Sequence, residues 1–201
     1  LISIPYSYKA PYSNIESNIL GAYNILEASK INNIDKIIMT SSSEVYGTAQ
    51  KIPIDENHPI NPINPYGETK VQVENLFLSD EFFYSANVKL LRYFNPIGSY
   101  DGVIGEEPNG NPNNLMPYIL GVANNKFDHL NIFGDDYETD DGTGVRDYVH
   151  VMDLIDAHWC ALNNQSLGCK IFNVGCGVGF SVKNLLDTFQ NVNKVIIPSV
   201  M

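Results

Sequence analysis

A chain of 201 residues that is 44% hydrophobic and 17% charged, with 12 Tyr and 9 Phe, has ample apolar side chain for a buried core and lacks the composition of a disordered segment. Its formal net charge of -11, with no basic stripe along the sequence, excludes a nucleic-acid backbone or an anionic membrane surface as partners. Cys160, Cys169 and Cys176 lack any C-x-x-C pair, so neither a disulfide framework nor a metal site is indicated, and with no membrane-length apolar run or signal-peptide pattern a cytoplasmic location fits.

Leu1 is not a start residue, and Leu1 to Pro5 reads as an apolar segment entered midway, so the chain is expected to be cut from a longer one. Asn14 to Ile31 carries Ile15, Ile19, Leu20, Ala22, Tyr23, Leu26 and Ala28 at helical spacing. The short apolar run Ile34 to Met39 predicts a parallel strand covered on both faces. A polar loop with Ser41 to Gly47 and several prolines then leads to Asn64-Pro65, an N-cap and first-turn pair that predicts a helix through about Phe77. Val88 to Phe94 predicts the next buried strand, and the alternation implies an α/β fold built on a doubly wound parallel sheet.

Past Asn95, the residues Gly102, Gly105, Pro108, Gly110 and Pro112 crowd a long loop of the functional kind. A domain transition is expected there, with 1–95 in one domain and 96–201 in a smaller, mainly substrate-binding region whose strands and helices return to the core. That region carries a helix over Leu115 to Asn124, a strand at Asn131 to Phe133, a helix from about Met152 to Leu162, a strand at Ile171 to Val174 and a helix capped by Ser181.

The chemistry concentrates in two segments. Tyr66-Gly-Glu-Thr-Lys70 puts a phenol and an ammonium on one helix face; by itself the spacing fits equally a solvated Lys beside a half-buried Tyr. Asn64-Pro65 places Tyr66 in the first turn, where the helix dipole favours an anion. Bringing a phenol from about 10 to about 7 takes roughly 4 kcal/mol, a joint task for Lys70, the dipole and a cofactor cation, and would make Tyr66 a general base. Thr40-Ser-Ser-Ser-Glu-Val-Tyr-Gly47 follows the first strand, where open α/β sheets bind ligands; alone it reads as a Ser-rich turn.

Taken together, Ser-Ser-Ser-Glu-Val-Tyr-Gly and the later Pro-Tyr-x-x-x-Lys resemble the extended short-chain dehydrogenase/reductase family, in which the hydroxyl four residues before the motif Tyr, here Ser42, joins Tyr66 and Lys70 in catalysis. Leu91-Arg-Tyr-Phe-Asn-Pro96, Pro112-Asn-Asn-Leu-Met-Pro-Tyr118, Ile132-Phe-Gly134, Asp141 to Asp153 and Phe172 to Gly179 are similar to the UDP-galactose 4-epimerase branch. The resemblance implies a partial Rossmann-type sheet whose N-terminal βα units, with the glycine-rich cofactor loop, lie before Leu1. It also implies bound NAD, transient oxidation of a UDP-hexose at C4, a homodimer, and inactivity of the fragment by itself. Asn18, Tyr66, Lys70, Tyr93 and Phe94 would contact NAD. Ser42, Tyr66, Asn95, Asn114, Leu115, Phe133 and Arg146 would hold the UDP-sugar.

Elementary chemistry agrees for Arg146, a planar guanidinium suited to two phosphate oxygens in an acidic chain, against the alternative of a surface ion pair with Asp147 or Asp153. Arg92, inside an apolar strand, reads as structural. Asn95 and Asn114 also suit turns. His150, between two valines, reads as a buried histidine without a catalytic part. Gly175-x-Gly-x-Gly179 lacks the G-x-G-x-x-G spacing of a dinucleotide fingerprint. Ile2 to Pro11 and Glu44 look more like nucleotide-sugar 4,6-dehydratases, in which a Glu at this place is the base. That reading stands as the alternative.

Overall fold

The computed structural model describes residues 1–108, 110 and 112–201. In chain order, α1 (Ile4–Lys9) and the single turn α2 (Pro11–Asn14) run through a π-helical segment at Ile15–Leu20 into α3 (Gly21–Ile31). Then come β1 (Lys36–Ser42), α4 (Pro65–Ser79), β2 (Asn87–Tyr93), β3 (Asn95–Ile97), β4 (Ser99–Tyr100), β5 (Ile104–Gly105) and α5 (Leu115–Ala123). The remainder is β6 (Leu130–Asn131), β7 (Val145–His150), α6 (Val151–Asn163), β8 (Gly168–Val174), β9 (Gly179–Ser181), α7 (Val182–Asn193) and β10 (Ser199–Val200). No helix among the described residues is long and apolar enough to cross a membrane.

Two compact units result, Leu1–Phe94 with Asp153–Val174, and Asn95–Met152 with Gly175–Met201. In the first, β1, β2 and β8 form a parallel sheet in that order. Its register aligns Ser42, Tyr93 and Val174, so Ser42 stands at the carboxyl end of the sheet. The strand β2 is the central one and is buried almost throughout, whereas β1 lies at the edge of this three-stranded sheet and is only partly covered. The expected strand at Ile34 to Met39 is displaced forward, because Ile34 closes the end of α3 by donating its N–H to Ser29 O at 2.9 Å. That shift carries the strand on to Ser42. The core of this unit joins Ala22 and Leu26 of α3, Val73 and Phe77 of α4, Phe83, and Val88 and Leu90 of β2.

The helix α4 starts as its sequence indicates. Asn64 is extended at φ -145° and ψ 157°, its Oδ1 accepts the Gly67 N–H at 2.8 Å, and Pro65 opens the first turn. Tyr66, Thr69, Val73 and Phe77 follow at helical spacing on the buried face. The expected helix over Asn14 to Ile31 is interrupted by the π turn, a wider winding that short local pattern does not reveal.

In the second unit, β3, β7 and β9 form a mixed sheet, β10 pairs with β6, and β4 and β5 form a small antiparallel pair. Ile119, Val122, Leu130, Ile132, Leu186 and Ile197 make its core. The strand expected to reach Phe133 ends earlier, although Ile132 still donates to Val200 O at 2.8 Å.

Candidate active site

Ser42, Tyr66 and Lys70 are brought together by the edge strand and the helix beside it. Ser42 ends β1 in extended conformation, and its Oγ accepts the Glu44 N–H at 3.2 Å, starting a short 3-10 turn at Ser43–Val45. Tyr66 occupies the second position of α4 and is 7% exposed. Lys70, one turn later, sets its ammonium 5.8 Å from the centre of the Tyr66 ring and donates to Thr40 O at 3.0 Å.

Burial pushes the Tyr66 phenol above its ordinary value; the nearby Ser42 hydroxyl pulls it back, and the Glu44 carboxylate pushes it up again. Lys70 moves the other way, lowered by burial against a raising influence from Glu74. The lowering toward neutrality is expected as a joint task for Lys70, the dipole and a cofactor cation; in the chain by itself, Lys70 is not among the influences on the phenol. The ammonium is directed at a main-chain carbonyl, and desolvation is the largest influence on the phenol. What the chain itself supplies is a neutral phenol beside a hydroxyl, with a desolvated cation one turn away.

Behind this trio lies a buried ionic network. Arg92 donates Nε to Glu74 Oε1 at 2.9 Å and Nη2 to Glu74 Oε2 at 2.6 Å, and a third donor reaches Tyr46 Oη at 2.7 Å. Ser41 donates to Glu74 at 2.5 Å, and Tyr46 donates to Asn173 Oδ1 at 2.6 Å. Arg92 is thus structural, as its place in an apolar strand indicates. Glu74 and Tyr46 went unremarked in the sequence; the signal for Glu74 is a carboxylate between Val73 and Phe77 on a helix face that is otherwise buried.

The remaining first-unit candidates have protein partners. Asn18 Nδ2 donates to Leu1 O at 3.0 Å and Thr69 Oγ1 at 3.1 Å. Tyr93 ends β2 with its hydroxyl 2.5 Å from His158 Nε2, and Phe94 donates its N–H to Val174 O at 3.1 Å. In the second unit, Asn95 donates to Asp147 O at 3.2 Å, across the β3–β7 pair that also carries Arg146. Asn114 caps α5 with its side chain turned to Glu106 at 2.8 Å, and Leu115 packs on the core. Phe133 is 86% exposed. No hydrogen bond joins Asn114, Leu115 or Phe133 to Arg146.

Arg146 is exposed and forms no ion pair among the described residues; its guanidinium donates to Val145 O at 2.8 Å. Asp147, which with Asp153 is one of its two candidate ion-pair partners, accepts instead from the N–H groups of Cys176 at 2.8 Å and Gly177 at 2.7 Å. His150 corrects another expectation. It is exposed at the end of β7, and its Nδ1 accepts the Met152 N–H at 3.2 Å; flanking valines do not bury a side chain that points to the other face of the strand.

Comparison with known proteins gives concordant matches. Residues 2–175 fit the family model described as NAD dependent epimerase/dehydratase family. The chain is 40% identical over 201 residues to UDP-glucose 4-epimerase of Yersinia enterocolitica, covering 98% of this chain and 60% of the relative. It is 41% identical over 206 residues to the Homo sapiens protein of the same name, covering 98% and 58%. Among solved structures, UDP-glucose 4-epimerase from Bifidobacterium longum in complex with NAD+ and UDP matches at a TM-score of 0.92 and 36% identity, over 100% of this chain and 61% of that one. The Stenotrophomonas maltophila enzyme with bound NAD and formylated UDP-arabinopyranose matches at 0.95 and 38%, over 100% and 61%. The chain therefore spans about 60% of the length of the relatives it matches.

Proposed function

This chain belongs to the NAD dependent epimerase/dehydratase family, and on that premise we propose that it serves the interconversion of UDP-galactose and UDP-glucose through transient oxidation at C4. The observation that carries the reading is the trio at the carboxyl end of the sheet, in which a buried phenol has a hydroxyl on one side and an ammonium one turn away. Its resemblance to UDP-glucose 4-epimerases at about 40% identity supports the choice of substrate.

The residues present fit the nicotinamide end of NAD. Lys70 spends one N–H on Thr40 O and keeps two for ribose hydroxyls. The Tyr66 phenol, raised by burial and by Glu44, needs an adjacent cation to accept a proton near neutral pH. Tyr66, Lys70, Asn18 and the Tyr93–Phe94 main chain would hold the cofactor, which when bound supplies the hydride acceptor and donor for sugar C4. Tyr66 takes the proton of the 4-hydroxyl, holds it at Oη while the keto sugar turns over, and returns it. Ser42 orients the sugar oxygen toward that phenol. Arg146, exposed and without an ion pair among the described residues, suits the diphosphate, with Asn95, Asn114, Leu115 and Phe133 completing the UDP-sugar contacts. The reading extends to a homodimer in the cytoplasm.

The test is Tyr66→Phe in a chain extended to the relatives' full length. It keeps the ring and removes the base, so conversion of UDP-galactose is expected to fall roughly 10²-fold or more. Near-normal conversion would clear Tyr66 of the role.

A further inference from the structure

One side chain joins the turn after β1 to the start of α4. Glu44 Oε2 accepts from Asn64 Nδ2 at 2.7 Å, and Asn64 Oδ1 accepts from the Gly67 N–H at 2.8 Å. The Asn64 carbonyl in turn accepts the Glu68 N–H at 3.1 Å. On its other side, the Glu44 N–H donates to Ser42 Oγ at 3.2 Å. The two segments meet so closely that a Cβ on Gly67 would stand 2.6 Å from Glu44 O.

We propose, on the epimerase reading above, that Glu44 is a positioning residue that fixes the Ser42 hydroxyl and the Tyr66 turn at their working separation, and is not a base toward the sugar. An Asn cap has two faces, one accepting and one donating, and only the accepting face can serve Gly67. By taking the Asn64 amide N–H, the Glu44 carboxylate keeps the oxygen turned to the helix. Its negative charge at a helix N-terminus acts in the same favourable direction as the dipole. The main chain of the same residue fixes the Ser42 oxygen, so both partners of the phenol–hydroxyl pair are referred to one residue. A base toward a sugar carbon needs its carboxylate directed at that carbon; here an oxygen is committed to the helix cap.

Two measurements test this. In the 201-residue chain, Glu44→Ala and Asn64→Ala should each speed amide hydrogen exchange at Gly67 and Glu68 roughly fivefold or more, the double variant should add little, and Glu44→Gln, whose side-chain oxygen still accepts from Asn64, should restore most of the protection. In the chain at the relatives' full length, Glu44→Ala should lower kcat roughly 10- to 100-fold with little change in KM, while Glu44→Gln lowers it less than about tenfold. Unchanged exchange in Glu44→Ala overturns the clamp whatever the activity. Altered exchange with no epimerisation by the unsubstituted protein keeps the clamp and rejects the epimerase reading. A 4-keto-6-deoxy product that Glu44→Gln abolishes makes Glu44 a base and overturns the proposal.

Discussion

At Arg92 a charge is fully desolvated and fully answered. Its guanidinium forks onto both oxygens of Glu74 and spends a third donor on Tyr46, with Arg92 3% and Glu74 3% exposed. Removing one member of such a pair strands the other, so Arg92→Met is expected to cost about 3–5 kcal/mol of stability by denaturant titration. Adding Glu74→Leu should recover most of that loss; no recovery would mean that the network matters for more than charge. The structural character of Arg92 was legible because it interrupts an apolar strand, and the pairing of Tyr66 with Lys70 was legible from their spacing. The direction of the Tyr66 shift was not, since it depends on burial by distant segments and on Glu44, twenty-two residues away in sequence. His150 was misread for a related reason: alternation along β7 places Val149 inside and His150 outside.

Among the elements, those with caps written in their own residues were the most legible. Asn64-Pro65 opens α4 and Ser181 opens α7, the latter as a reciprocal capping box in which Ser181 Oγ accepts the Asn184 N–H at 2.9 Å and Asn184 Oδ1 accepts the Ser181 N–H at 3.2 Å. The same hydroxyl donates to Asp141 at 2.5 Å. Ser181→Ala should therefore lower stability by about 1–2 kcal/mol, read as a fall in thermal midpoint, whereas Ser181→Asp keeps an acceptor for the helix but sets a like charge against Asp141. A midpoint unmoved by Ser181→Ala would mean that water replaces both contacts. The β3–β7–β9 sheet was invisible beforehand because its three short strands lie far apart in sequence. Gly179, which opens β9, acquires a reason from it: a Cβ there would stand 2.5 Å from Val145 Cγ1, so this glycine permits close strand packing.

For the molecule as a whole, helix and strand alternation sufficed to read a parallel α/β fold, because the crossover from β1 through α4 to β2 repeats the sequence order in space. Residues 153–174 belong to the first unit; that this particular part of 96–201 is the one to return is a long-range pairing without a local signature. The proposed homodimer has a candidate face in Leu20, Tyr23 and Ile31, exposed apolar side chains along the π segment and α3. Light scattering at the relatives' full length should give twice the chain mass, and Tyr23→Glu should shift it toward one; a monomer before substitution rejects the dimer. The loop after the Ser42 turn is pinned on both flanks. Asn61 donates its N–H to Val45 O at 3.1 Å, and Asn173 ties down Ile54 and Glu56 at 3.1 Å and 2.7 Å. Between these anchors Lys51, Ile52 and Pro53 stand exposed. Doubling a flexible loop costs only about 0.6 kcal/mol. Insertions at this tip can therefore accumulate as the sequence drifts, while both flanks hold and the floor bearing Ser42 and Tyr66 stays where it is.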